Sequence, residues 1–149
     1  MSPGLRVALV GPIYQENLAL AYLSAVTRSA GHQAEVIAYS RRTELDRALR
    51  QVLELDPQVV GLGIAFQNNI DDYLLFLNEL RSRGYRGYLT AGGHVPTFCY
   101  AELMRDAPGL DSVVRHDGEE TFAAILGAVS DSKVPRDIPG LVWRDADRV

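Results

Sequence analysis

The sequence predicts an α/β fold with a five-stranded, doubly wound parallel sheet. Short apolar runs alternate five times with helical patterns of about 8–15 residues, which implies parallel strands joined by right-handed crossovers. Four turns each follow a strand-like run and precede a helix-like one: Gly11-Pro12, Ile64-Ala65-Phe66-Gln67-Asn68, Ala91-Gly92-Gly93-His94 and His116-Asp117-Gly118-Glu119. In an open parallel sheet such turns all lie at the carboxyl ends of the strands, the edge where these folds bind ligands. Among the doubly wound orders, 2-1-3-4-5 is the expected one.

Arg6 to Val10 is a nearly unbroken apolar run, the mark of a strand buried on both faces. Leu18, Ala21, Tyr22, Ala25 and Val26 then follow helical spacing, and Gly31 ends that helix. Glu35 to Tyr39 reads as the second strand. Thr43 with Asp46 resembles a capping pair, followed by the stripe Leu45, Ala48, Leu49 and Val52, which Asp56-Pro57 stops. Gln58 to Ile64 is the third strand. Tyr73, Phe76, Leu77 and Leu80 make the third helix, closed at Gly84. Gly87 to Ala91 is the fourth strand and Phe98 to Asp106 a short helix. Ser112 to Arg115 is the fifth strand, and Phe122, Ile125, Leu126 and Val129 form the last helix.

Residues 1–129 thus read as one domain. Residues 130–149 read as a polar, proline-containing linker and then a short β-like piece, Ile138 to Asp145.

Composition excludes several classes. A chain of 149 residues, 47% hydrophobic and 23% charged, has the balance of a soluble globular domain. Its net charge of −4 and lack of basic runs give no nucleic-acid surface. No apolar stretch approaches the roughly 20 residues of a membrane span. The start, Met1-Ser2-Pro3-Gly4, lacks signal-peptide character, so a cytoplasmic protein is expected. The single Cys99 allows no internal disulfide and no Cys-based zinc or iron–sulfur site, and reads as a small, partly buried hydrophobe.

Each turn has a ligand reading and a plain one. Tyr14, Gln15, Glu16 and Asn17 lead into the first helix, whose free N–H groups suit an anion, or they simply cap it. Neither GxGxxG nor GxxxxGK[ST] is present. Ala65, Phe66, Gln67 and Asn68 follow the third strand, where a phosphoacceptor aspartate would stand in a receiver domain. Here Gly63 and Ile64 occupy that strand end. Phe66 floors a pocket or joins the core, and Asn68 or Asn69 caps the third helix. Gly92 and Gly93 allow close backbone approach and positive φ, with His94, Val95, Pro96 and Thr97 behind them. Asp117, Gly118, Glu119 and Thr121 open the last helix, where Glu119 and Glu120 favour the dipole without any acid–base role. No catalytic set and no metal-ligand spacing emerges.

In combination these pieces resemble the N-terminal cobalamin-binding domain of cobalamin-dependent radical S-adenosylmethionine enzymes. Gly92-Gly93-His94-Val95-Pro96-Thr97 matches a GGxxPT-like turn. Asp117-Gly118-Glu119 with Thr121 matches the end of a GEGExT-like turn. Ile138-Pro139-Gly140-Leu141-Val142-Trp143-Arg144 matches the IPGLxxR piece before the radical domain. The resemblance implies a flavodoxin-like, Rossmann-like domain that binds cobalamin through these turns, with Tyr14, Gln15, Phe66 and Gln67 near the lower face. It implies a C-terminal radical domain holding S-adenosylmethionine and a [4Fe–4S] cluster, and a methyltransferase as the parent enzyme.

Two departures stand out. His116 replaces the first glycine of the last motif. The DxHxxG histidine that ligates cobalt in methionine synthase and the mutases is absent, which implies base-off cobalamin with no protein histidine on the metal. The rival reading is a regulatory or interaction domain of the same fold that binds no cobalamin.

Overall fold

The computed structural model describes residues 3–13, 18–64 and 70–144. The strands are β1 (Arg6–Gly11), β2 (Gln33–Ala38), β3 (Val59–Gly63), β4 (Tyr88–Gly92), β5 (Ser112–Val114) and β6 (Leu141–Trp143). The helices are α1 (Leu18–Ser29), α2 (Leu45–Leu55), α3 (Ile70–Ser82), α4 (His94–Asp106) and α5 (Glu119–Ser130). The sheet order is β2-β1-β3-β4-β5-β6. Its first five strands are parallel in the expected 2-1-3-4-5 arrangement.

The sheet has six strands rather than five. The short β-like piece near the C-terminus pairs antiparallel with β5, Leu141 opposite Val114 and Trp143 opposite Ser112. Arg144 fastens this addition: its Nη2 donates to the Met104 carbonyl at 2.7 Å and its Nε to the Leu110 carbonyl at 3.2 Å.

Each face of the sheet carries its own core. Leu49 and Val52 of α2, Phe76 and Leu80 of α3, and Leu103 and Met104 of α4 pack on Val10, Val60, Leu62, Leu89 and Val113. Leu20 of α1 and Phe122, Ile125 and Leu126 of α5 pack on Val7, Leu9, Val59 and Val114. Gly31 and Gly84 close α1 and α3 with φ of +88° and +98°, the left-handed conformation that glycine adopts without cost.

Three local expectations are corrected. The buried line of α1 is Leu20, Ser24 and Thr27, so the helix is rotated from the expected stripe and leaves Leu18 and Tyr22 each 56% exposed. Thr27 is accommodated because its hydroxyl donates to the Leu23 carbonyl at 2.7 Å. Thr43 and Asp46 form no capping pair. Thr43 lies in a single 3-10 turn, Arg42–Glu44, and the Glu44 carboxylate accepts instead from Ser40 N and Oγ. Finally, α4 starts at His94 rather than Phe98. Pro96 is tolerated in its first turn, where its missing N–H leaves no helical bond unmade, and the helix kinks at Cys99.

The amino-end edge of the sheet is laced together by one side chain. Arg81 alone donates to the carbonyls of Tyr85, Gly87 and Gly109 and to the Asp111 carboxylate at 2.9–3.0 Å. The more enclosed cleft lies at the opposite, carboxyl-end edge. No helix among the described residues is long and apolar enough to cross a membrane.

Candidate functional site

A cleft of about 180 Å³ opens at the carboxyl ends of β3, β4 and β5, under α1 and α5. Its origin is a set of side chains that are small or missing. Strand alternation turns Gly61 and Gly63 of β3 and Thr90 and Gly92 of β4 to one face. Register sets Gly61 beside Thr90 and Gly63 beside Gly92. The sheet therefore lacks bulk where α1 and α5 cross it. Leu20 and Leu23 of α1, Val114 of β5 and Phe122 of α5 wall the space, and His116, Asp117, Gly118 and Glu119 form its rim.

Some of the residues singled out from sequence meet here. Gly92, Gly93, Asp117, Gly118 and Glu119 line the cleft. His94 stands exposed beside it, its ring edge-on to the exposed Phe98 at 5.2 Å. Val95, Pro96 and Thr97 are buried behind the turn. Thr121 is withdrawn from the space, its hydroxyl donating to the Pro139 carbonyl at 2.8 Å. Tyr14, Gln15, Glu16, Asn17, Ala65, Phe66, Gln67, Asn68 and Asn69 lie outside the described residues. Sequence reading passed over Gly61, Gly63 and Thr90. The signal was present as small residues at period two in adjacent strands, Gly61-Leu62-Gly63 and Thr90-Ala91-Gly92.

The rim is held by bonds between turns that are distant in sequence. Gly93 has φ of +113° and ψ of −170° and serves as N-cap of α4 without any side-chain cap. Thr97 Oγ1 donates to the Gly93 carbonyl at 2.9 Å and accepts the His116 N–H at 2.9 Å. Arg115 adds a bond from Nε to the Thr97 carbonyl at 3.1 Å, and its guanidinium lies 4.5 Å over the Tyr100 ring. Its backbone N–H reaches the Gly140 carbonyl at 2.8 Å. His116, where the resemblance expects glycine, adopts φ of +63°, a region few side chains enter and histidine enters more readily than most. Thr97→Val keeps the shape but leaves the partly buried His116 amide without its acceptor. It is expected to cost about 0.5–1.5 kcal/mol of stability, read from a shifted urea midpoint at unchanged m-value; an unmoved midpoint contradicts the bridging role.

Two of the helices that start at this edge have glycine at the N-cap, Gly93 for α4 and Gly118 for α5, with no side chain capping them. In α5 the ladder first closes from Phe122 N to the Gly118 carbonyl at 2.7 Å. Its opening amides are thus left for a ligand or water, although Glu119 and Glu120 already supply negative charge there. The whole is a narrow apolar slot with polar backbone at its mouth. It suits the insertion of a flat apolar group carried on a polar, hydrogen-bonding chain.

Comparison with known proteins agrees with this geometry. The model of the B12 binding domain family matches residues 7–126. An uncharacterized methyltransferase of Pyrococcus horikoshii is 26% identical over 133 residues, covering 89% of this chain and 28% of its own. The cytidylyl-2-hydroxyethylphosphonate methyltransferase of Streptomyces wedmorensis is 27% identical over 150 residues, covering 87% of this chain and 28% of its own. The chain thus spans little more than a quarter of the curated relatives it matches. Among solved structures, the cobalamin-dependent S-adenosylmethionine radical enzyme OxsB, with aqua-cobalamin and S-adenosylmethionine bound, shares the fold. Its TM-score is 0.80 at 19% identity, over 98% of this chain and 21% of the enzyme. With its mostly parallel sheet, its cleft at the strand ends and a family match across most of its length, this chain belongs to the B12 binding domain family.

Proposed function

We propose that the chain is the cobalamin-binding module of a longer radical S-adenosylmethionine enzyme, a methyltransferase. The observation that carries this is the cleft. Side chains of ordinary size at Gly61, Gly63, Thr90 and Gly92 would fill it, and the fold maintains it beside glycine-capped helix ends. The nucleotide tail of cobalamin would enter between the sheet and the pair α1 and α5. Leu20, Leu23, Val114 and Phe122 would enclose its base, and Gly93 and Gly118 would let backbone approach its sugar and phosphate. When bound, cobalamin supplies a cobalt centre able to carry a methyl group. This chain's residues would hold the tail and exclude water from its base.

The absence of a histidine from the turn after β1 supports a base-off state without a protein nitrogen on cobalt. Residues 1–129 would carry the cofactor. Residues 130–149 would lead toward a separate catalytic domain, with β6 of that stretch remaining stitched to β5. The radical chemistry would belong to that domain, because its three-cysteine cluster site cannot be assembled around Cys99. The curated relatives are named methyltransferases, which supports methyl transfer as the reaction of the longer enzyme.

The test mixes the protein with hydroxocobalamin, removes free ligand by desalting and records the visible spectrum. Retention of cobalamin with a base-off spectrum is expected. A retained but base-on spectrum contradicts the detached base, and an empty protein contradicts cobalamin binding.

A further inference from the structure

The amino-end edge of the sheet carries a groove of its own, at the other end of the strands from the cleft. Its volume is about 490 Å³, within the roughly 300–1,000 Å³ usual for binding pockets. Gln58, Tyr88 and Asp111, at or just before the amino ends of β3, β4 and β5, line it together with residues 132–135 after α5. Backbone bonds hold the latter stretch in place. Ser132 N donates to the Val129 carbonyl at 3.0 Å and Lys133 N to the Ala128 carbonyl at 2.8 Å.

The lining is cationic and aromatic. Arg81, Arg86, Lys133 and Arg144 stand against one acid, Asp111, on a chain whose net charge is −4. Arg81 and Asp111 pair at 2.9 Å and offset each other. The Arg144 guanidinium donates to the carbonyls of Met104, Ala107 and Leu110, which leaves its charge without a paired carboxylate among the described residues. Arg86 and Lys133 are exposed, and among the described residues neither side chain has an ion pair or a hydrogen bond. Tyr88 and Trp143 are half-buried in the lining, and Val134 is 62% exposed. Tyrosine, tryptophan and arginine are the residues enriched at the centres of protein interfaces.

We propose that this groove docks an acidic segment of a separate partner protein, one that carries an apolar or aromatic side chain between its carboxylates. Arg86 and Lys133 supply positive charge that nothing described in this chain neutralises, so carboxylates complement them. Trp143 and Val134 supply apolar surface for the side chain between. A long nucleic acid fits less well, because the basic patch is confined to the groove and the rest of the chain is net negative. The catalytic domain proposed above has to face the carboxyl-end edge, which leaves this edge to a different molecule.

The sequence provides its own reporters, since Lys133 is its only lysine and Trp143 its only tryptophan. The test titrates the 149-residue chain without cobalamin, so its outcome is independent of the cofactor reading. The probe is the tryptophan-free peptide Asp-Glu-Leu-Asp-Phe-Glu-Asp, and the control is its uncharged counterpart Asn-Gln-Leu-Asn-Phe-Gln-Asn. The acidic peptide is expected to shift the Trp143 emission saturably, and a carbodiimide to couple Lys133 to the bound peptide. The double variant Arg86→Glu, Lys133→Glu is expected to melt like the parent and to bind the peptide at least about tenfold more weakly. Equal binding of the uncharged peptide overturns the role of charge. Inorganic phosphate or transfer RNA shifting the emission where the peptide does not overturns the choice of partner, as does coupling of Lys133 between two copies of the chain. An emission that neither peptide moves overturns docking altogether.

Discussion

Gly63→Val is expected to abolish cobalamin binding while leaving the fold intact. A Cβ at Gly63 would meet Leu20 Cδ2 at 3.5 Å and the Val10 carbonyl oxygen at 3.8 Å, both ordinary contacts. The residue sits in β3 without positive φ, where a β-branched side chain is well suited. The two added methyl groups project into the cleft and would occupy the space proposed for the base. A loss of at least about 100-fold in affinity follows, or about 2.7 kcal/mol. Replacing a strand glycine at a compatible position reduces the freedom of the unfolded chain, so stability should hold or rise by about 0.4–1 kcal/mol. Absorbance titration and a thermal melt together check this. A folded Gly63→Val protein with undiminished affinity would mean that the tail lies elsewhere.

Gly93→Ala has the opposite profile: a large loss of stability from a single methyl group. A Cβ there would stand 2.7 Å from the Ile64 carbonyl oxygen and 3.2 Å from Ile64 C and N, all backbone atoms of the neighbouring strand end. That backbone cannot step aside, because the Ile64 N–H is bonded to the Gly92 carbonyl and the Ile64 carbonyl to the Val95 N–H. The φ of +113° with ψ of −170° is itself open essentially to glycine alone. Strain and collision together should cost about 3 kcal/mol, lowering the melting temperature by about 6–12 °C in a domain of this size. Gly92→Ala is the matched control, its Cβ meeting Val114 at 3.5 Å and costing little. If both variants melt alike, the special backbone of Gly93 is not what this position requires.

This alters the meaning of the double glycine. Sequence alone reads Gly92-Gly93 as a place for a ligand to approach. In the structure Gly93 is demanded by the protein's own neighbouring strand.

Other parts of the fold were plain in the sequence for identifiable reasons. Strands β1 and β3 are buried on both faces and so consist of apolar runs. Helices α1 and α3 end at glycines that take positive φ. The face of α1 was not legible because Leu18-Ala19-Leu20-Ala21-Tyr22-Leu23 is apolar nearly all round, so two stripes of equal merit compete and tertiary packing decides. The cleft was hidden for a different reason. It is built from absent side chains, and glycines inside a strand pattern read as weak strand residues until register lays Gly61 beside Thr90 and Gly63 beside Gly92. The bond from Thr121 to Pro139 likewise joins two motifs that sequence separates by 18 positions.

The sixth strand has a bearing on solubility. Strand β5 is only three residues long and would otherwise be the outer rim of the sheet, with raw amides and carbonyls facing water. Such a rim is a template on which a second chain can polymerise. Strand β6 covers it from the same molecule in a three-residue antiparallel pairing, and the new outer strand is itself very short. The stretch from Ile138 to Arg144 is therefore expected to guard β5 against pairing with a second chain. It hooks Gly140 onto Arg115 and Pro139 onto Thr121, so that the guard cannot lift away without loosening the rim of the cleft.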